Sequence, residues 1–517
     1  MKLRPPSIHP EGEAKNNEIT SKTNTTDRTP IEIDTFDGKV HVDWDPDAAL
    51  TPFGQLPFFI QFLKIGQRFE PWVDECPLEY TSNNAPTVRN VLGSLLLSVL
   101  SGHKRFNHIT TLRNDNVNPK LLGMTKVVSS DSARRSLLKM DEGKGVEWLQ
   151  SHLLSSYLPL LNTSWILDTD VTVKSLYGYQ EAAVKGYNPH KKGRPSHAYH
   201  SYLIANLRLV LDVEVQAGNR TSSTHSLPRL LSLLAQFPDD CKPEFVRGDC
   251  DWGADSVMTA LEEIKQPYLF KMKKGSGVKG LIREHHGQGH WQRFKTGWEV
   301  KETELQLASW SYSRRVILIR RKIQKESELV LEHSENGQLS LGFIEEAEEF
   351  KLYEYSVLVT DLTREVISIV QLYRDRADCE NNFDELKNHW GWGGYTTQQL
   401  ASSQLMSRLV ALIYNWWNLF VRLIHPDSHL EAITSRPLLL SSIGKLTQSG
   451  RQKHLTITDC HGEHEKTKTA YHDVMAFFNH LKVTARQLTG AECWQQILKK
   501  ITELFESKNP RFAPLLG

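Results

Sequence analysis

The spacing of apolar and polar residues changes several times along this chain, and each change predicts a different kind of element. Residues 31–44 (IEIDTFDGKVHVDW) alternate on both sides of Asp37-Gly38, the pattern of a tight hairpin. Between 58 and 157 the period becomes helical: Val88, Val91, Leu92, Leu95, Leu96, Val99 and Leu100 share one face. Alternation returns at Trp165 and predicts strands over 165–174, 197–208, 209–216, 245–247 and 268–272, the second and third forming a hairpin. Helical stretches at 224–237 and 254–264 are long enough to cover a sheet, so the expected class is an α/β mixed sheet flanked by helices. From 273 to 355 the text is strand-like again (291–296, 304–310 and 315–323), which predicts a β-rich insertion before helices resume up to 425. The most apolar window, 405–424, contains Arg408, Asn415, Asn418 and Arg422, which predicts a buried helix and argues against a membrane span.

These rhythms divide the 517 residues into an arm (1–30), a hairpin and helical domain (31–160), a first part of an α/β domain (161–272), the β-rich insertion (273–360), a second α/β part (361–430) and a helical appendage (431–517). The arm is expected to be mobile, since it holds almost no large apolar residue. Charge adds an asymmetry that the net value of +1 hides. Residues 271–322 carry 13 Lys/Arg against 4 Asp/Glu, whereas 323–355 carry 2 against 9, so the insertion begins basic and ends acidic. The six cysteines show no CxxC pair, which excludes a disulfide framework or zinc knuckle and suits a cytoplasmic protein. Cys460, His461 and His464 make at most a partial metal site.

Chemistry concentrates in QLYRDRADCENNFDELKNHW (371–390). On one helix Tyr373, Arg376, Glu380 and Lys387 would fall within about 60° of one another, a phenol, a guanidinium, a carboxylate and an ammonium on one stripe. A core face would carry Leu, Ile or Val instead. A phosphate site explains the mixture: the carboxylate can hold a divalent cation, the planar fork of Arg376 can grip a phosphate, and Lys387 adds a point charge. Two further acids stand upstream. Asp168 and Asp170 lie two apart on a predicted strand and so project to one face, and Asp249 ends the apolar run before Gly253, where open α/β sheets bind ligands.

The spacing Tyr-x2-Arg-x3-Glu-x6-Lys resembles the signature helix of bacterial insertion-sequence DDE transposases of the IS-four superfamily, and the wording at 165–200 and 243–257 is similar to the IS-thirteen-eighty group. The resemblance implies an RNase H-like catalytic domain holding two Mg²⁺ or Mn²⁺ ions on Asp170, Asp249 and Glu380, with Tyr373, Arg376 and Lys387 on the phosphates of the transposon end. It favours Asp170, followed two residues on by Thr172, and leaves Asp168 as the alternative. Asp251 stands where relatives more often have Gly and could compete as a ligand. Physically, three converging carboxylates repel one another unless cations fill the gap.

The loop KGYNPHKKGRP gathers Lys185, His190, Lys191, Lys192 and Arg194 beside the first acid, a placement suited to phosphate contact. The resemblance also implies an insertion-domain aromatic that holds a flipped base when hairpins form; Trp298, Trp310, Tyr353 and Tyr355 are the candidates. The expected protein is thus a transposase that cuts double-stranded DNA at its element's ends and joins them to target DNA, a homodimer in the DNA complex, in a bacterial cytoplasm at the nucleoid and away from membranes. The alternatives are a domesticated DNA-binding protein that does not cut and a stand-alone RNase H-like nuclease.

Overall fold

The computed structural model describes residues 30–188, 191–220, 222–323, 353–459, 462–484 and 488–508. The expected arm lies, apart from Pro30, outside them. The chain divides into two units, Met1–Ala48 and Ala49–Gly517. In the first, β1 (Ile31–Thr35) and β2 (Gly38–Val42) pair antiparallel, with Thr35 opposite Gly38. Gly38 has φ +112°, a conformation that side-chain-bearing residues rarely adopt, and so it closes the two-residue turn.

The second unit opens with β3 (Leu50–Thr51) and a helical stretch: α1 (Leu56–Ile65), α2 (Phe69–Asp74), α3 (Val88–Leu100), α4 (Asn118–Leu121), α5 (Ser130–Lys139) and α6 (Glu142–Tyr157). Thr87, Ser129 and Asp141 cap α3, α5 and α6, each side chain accepting a backbone N–H from the first turn. The face read along α3 is only part of its burial, because every residue from Asn90 to Leu100 is enclosed.

Ten strands then form one mixed sheet: β4 (Ile166–Ser175), β5 (Val184–Lys185), β6 (Pro195–Ile204), β7 (Leu209–Ala217), β8 (Phe245–Gly248), β9 (Tyr268–Lys271), β10 (Gln292–Lys295), β11 (Trp298–Leu305), β12 (Arg314–Lys322) and β13 (Tyr353–Thr360). The order is β10-β11-β12-β13-β9-β8-β4-β6-β5, with β7 also on β6. Only β9, β8 and β4 run parallel to one another; the remaining pairings are antiparallel. The strands of the expected insertion therefore extend the same sheet through β13 and β9. Helices α7 (Ser222–Gln236), α8 (Asp255–Glu263) and α9 (Ser276–His286) alternate with them. α9 departs from the strands expected over 273–355; Val278, Leu281, Ile282 and His285 have helical spacing and are all buried.

After β13 come α10 (Val366–Arg374), α11 (Ala377–Asn388) and α12 (Leu400–Ile424). α12 is enclosed along nearly its whole length and lies on the free edge of β7. Its polar residues satisfy that edge. The amide of Asn415 accepts from Val210 N and donates to Val210 O, both at 2.8 Å, and the amide of Gln404 does the same for Val215 at 2.9 and 3.0 Å. A bulge where β7 passes Tyr202 and Leu203 shifts the alternation, which lets both valines face α12 although they are an odd number of residues apart. Beside the bulge Asp212, fully buried, accepts from Arg408 and Arg229 at 2.8 Å and from Gln150 at 2.9 Å. Among the described residues no helix is long and apolar enough to cross a membrane.

The tail contains α13 (Ala432–Leu439), α14 (His464–Thr484) and α15 (Gly490–Lys508). It is not wholly helical: β14 (Gly444–Ser449) and β15 (Gln452–Ile457) form a hairpin that adds β3 as a third strand.

Candidate active site

The first two acids come together through sheet register. β4 and β8 are parallel with Asp168 opposite Arg247, so Asp170 and Asp249, each two residues further on, leave neighbouring strands at one level. Glu380 arrives on α11. The stripe does not lie on one straight helix: α10 ends at Arg374 and α11 begins at Ala377, with a turn at Asp375 and Arg376 between them. That break corrects the reading of 371–390 as a single helix. It leaves Arg376 buried at the junction, where its two terminal nitrogens reach Asp170 at 3.3 Å and Glu380 at 3.1 Å. Its Nε is buried without a hydrogen-bond partner.

Electrostatics at this junction are unbalanced. Burial pushes the Asp170 carboxyl up to about 6; Arg376 opposes the rise, and the like charges of Asp249 and Glu380 add to it. Burial likewise raises Asp249, with Asp251 adding to the effect. Burial raises the Tyr373 phenol, so at neutral pH it is a hydrogen-bond donor. The acids hold Arg376 firmly protonated despite its own burial. Asp251, the competing acid, is paired with Lys273 at 2.5 Å.

The alternative first acid has a different environment. Asp168 is 1% exposed, and the Arg247 guanidinium donates to both its oxygens, at 2.5 and 2.6 Å. With both oxygens committed to a buried cation, Asp168 is the poorer candidate ligand.

The remaining site residues are scattered. Lys387 lies two turns beyond Glu380 on α11, half-buried, and among the described residues none of the ion pairs of the acid cluster involves it. Lys185 is exposed at the end of β5, and Lys191, Lys192 and Arg194 are exposed on the loop between β5 and β6; His190 lies outside the described residues. Lys191 and Arg194 both lie 4.8 Å from the ring of Tyr177. Tyr177, Tyr179 and Tyr187 are exposed around this loop, a run that sequence reading passed over although Tyr177 and Tyr179 flank a single glycine. Trp310 and Tyr355 are core residues, 6% and 5% exposed, so neither offers a ring face to a base. Trp298 is half-buried with Lys295, Arg321 and Arg374 at 4.8, 5.4 and 4.7 Å from its ring, and Tyr353 lies 4.7 Å from the Arg320 guanidinium. The basic stretch 271–322 is also less free than its count implies. Arg314 pairs with Asp255 and Glu262, Arg315 with Glu302, Arg320 with Glu299 and Arg321 with Glu354.

Among the described residues, the grouping with three ligand atoms within 4.8 Å of one another is Asp459, His464 and Glu465, not the carboxylate triad. Lys468 already pairs with Asp459 and Glu465 there. Cys460 and His461 lie outside the described residues.

A family model described as "Transposase DDE domain group 1" matches residues 79–481. The chain belongs to this family, and its class is that of a DDE transposase, acting in DNA transposition. No curated protein matches it. Among solved structures it is similar to a cryo-EM structure of the piggyBac transposase synaptic complex with hairpin DNA, at 9% identity and a TM-score of 0.38, over 88% of this chain and 85% of that one.

Proposed function

We propose that this transposase cuts double-stranded DNA at the ends of its own element and joins the 3′ ends to target DNA by phosphoryl transfer, using divalent metal held by Asp170, Asp249 and Glu380 in an RNase H-like site. The observation that carries this reading is the convergence of acids: Asp170 from β4 and Glu380 from α11 both pair with Arg376, and Asp249 at the end of β8 is near enough for its charge to add to the rise that burial imposes on Asp170. An all-oxygen donor set suits Mg²⁺ or Mn²⁺ and fits the two ions of this chemistry. When bound, the ions supply electrophilic activation of the attacking hydroxyl and stabilisation of the leaving oxygen.

The chain's own residues do the rest. Arg376 fixes Asp170 and Glu380 relative to each other and presents the same planar fork to a phosphate. Tyr373, kept protonated by burial, donates to a phosphate oxygen. Lys387 and the exposed Lys185, Lys191, Lys192 and Arg194 supply salt-sensitive contacts along the end DNA. We place the chain in the IS-four superfamily, within the IS-thirteen-eighty group, and in a bacterial cytoplasm.

The test is metal-dependent cleavage and strand transfer on oligonucleotides carrying the element's ends. Cleaved and joined products are expected from a complex of two subunits and two ends by light scattering, assembling less well as salt rises from about 50 to 200 mM. Binding without cutting would identify a domesticated DNA-binding protein, and cutting without joining a nuclease.

A further inference from the structure

The Asp168–Arg247 pair has a third member. Besides its two bonds to Asp168, the Arg247 guanidinium donates from Nη1 to the backbone carbonyl of Leu372, in the last turn of α10. Each end of this connection lies just ahead of a carboxylate in the chain. Asp168 precedes Asp170 by two residues on β4, Arg247 precedes Asp249 by two at the end of β8, and Leu372 precedes the turn at Arg376 that leads to Glu380. Both residues are 1% exposed.

We propose that the buried Asp168–Arg247 pair is a positioning device that ties together the three elements carrying Asp170, Asp249 and Glu380. The proposal rests on the reading of those three as metal-holding groups. A buried ion pair is a poor source of stability, because desolvating two charges offsets much of their attraction. What it supplies well is direction. A guanidinium has its donors in a fixed plane, so engaging both oxygens of Asp168 aims the remaining nitrogen at one place, the carbonyl of Leu372. α10 is thereby set against the parallel strands, and Arg376 comes within reach of Asp170. Groups behind a metal site commonly act in this way, orienting ligands they do not replace.

The test uses the full chain with Mn²⁺ and no DNA, reading Mn²⁺ affinity by electron paramagnetic resonance and amide hydrogen exchange over 366–374. Replacing one partner alone strands a buried charge, so the main variant is the double substitution Asp168→Asn with Arg247→Gln, which is neutral and whose glutamine is too short to reach Leu372. Arg247→Lys, which keeps the charge and loses the fork, is the second. Both are expected to unfold cooperatively, to bind Mn²⁺ about tenfold more weakly, and to exchange faster across α10. Asp170→Asn is expected to weaken Mn²⁺ binding with α10 exchanging as in the wild type. Wild-type affinity and exchange in both folded variants would overturn the proposal. So would loss of cooperative unfolding in both, which would assign the pair to the core, or an Asp168→Asn protein that loses Mn²⁺ with α10 unchanged, which would make Asp168 a ligand. If the wild type itself binds no Mn²⁺, the metal reading of the carboxylates fails, and exchange across α10 still decides whether the pair holds the helix.

Discussion

Two groups of acids on the same sheet are treated in opposite ways. At the β7 edge a single carboxylate, Asp212, receives two guanidinium groups and an amide, with Asp212 and Arg408 buried and Arg229 and Gln150 half-buried around them. Beside β4 and the end of β8, Asp170 and Glu380 share one guanidinium with the charge of Asp249 close by, and Glu380 keeps 66% of its side chain in solvent. The first arrangement is saturated and has no capacity for another ligand. The second is short of positive charge and open on one side. Both places bury acids; what differs is the balance of charge around them.

The largest effect that sharpens this contrast is on chemistry. Asp170→Asn, Asp249→Asn and Glu380→Gln are each expected to lower cleavage of end-bearing DNA by about a thousandfold or more, with cooperative unfolding preserved, because each relieves repulsion in a self-repelling cluster. Wild-type cleavage by Asp170→Asn, alongside loss in Asp168→Asn, would reverse the assignment. Next comes the saturated site. Asp212→Ala leaves Arg408 buried without its carboxylate and is expected to cost about 3 to 5 kcal/mol in urea unfolding; a loss under about 1 kcal/mol would mean that the arginines find other partners.

A smaller effect is expected where the two kinds of charge meet. Arg376→Ala should weaken the end complex about tenfold at moderate salt and Lys387→Ala less, read by gel shift; complexes as stable as the wild type in both would remove their phosphate role. A last effect concerns a cation with no carboxylate partner among the described residues. The ammonium of Lys174 donates to Gly394 O and to Tyr199 Oη at 3.3 Å, and burial lowers its pKa to about 7. Its folded value is below the unfolded one, so between about 7 and 10.5 the unfolded chain holds more proton and stability should rise with pH. Melting temperatures from pH 7 to 9 should therefore climb more steeply in the wild type than in Lys174→Met, and parallel curves would refute the assignment.

Much of this architecture is legible in the residues. The strand read over 165–174 is β4 displaced by a single residue, and the hairpin over 197–216 is β6 with β7. These segments are apolar enough that burial dictates their state. Where burial was weak or two periods competed, reading failed. The strand expected over 304–310 in fact runs over Trp298–Leu305, because the alternation of WEVKETEL begins earlier and the following residues turn. The polar hairpin of β14 and β15 faces solvent on most of its residues, so no apolar period announced it. At the acid cluster, residue types and order were readable along the chain, but the turn at Asp375 and Arg376 was not, since both residues keep right-handed helical backbone angles. The commitment of Asp168 to Arg247 could not be read at all. It depends on which residue of β8 stands opposite in the parallel register, and that is a property of the sheet.

The two amide contacts along β7 amount to a length standard. Gln404 and Asn415 are three helical turns apart, about 16 to 17 Å at 1.5 Å per residue, and the valines they hold are separated by about the same distance at 3.3 Å per strand residue. Two scales with different divisions coincide at two marks, as on a vernier. A slip of α12 by one residue in either direction loses both marks together. The longest of the described helices therefore has one seating on its sheet, and the junction that carries the acids is built from a fixed datum.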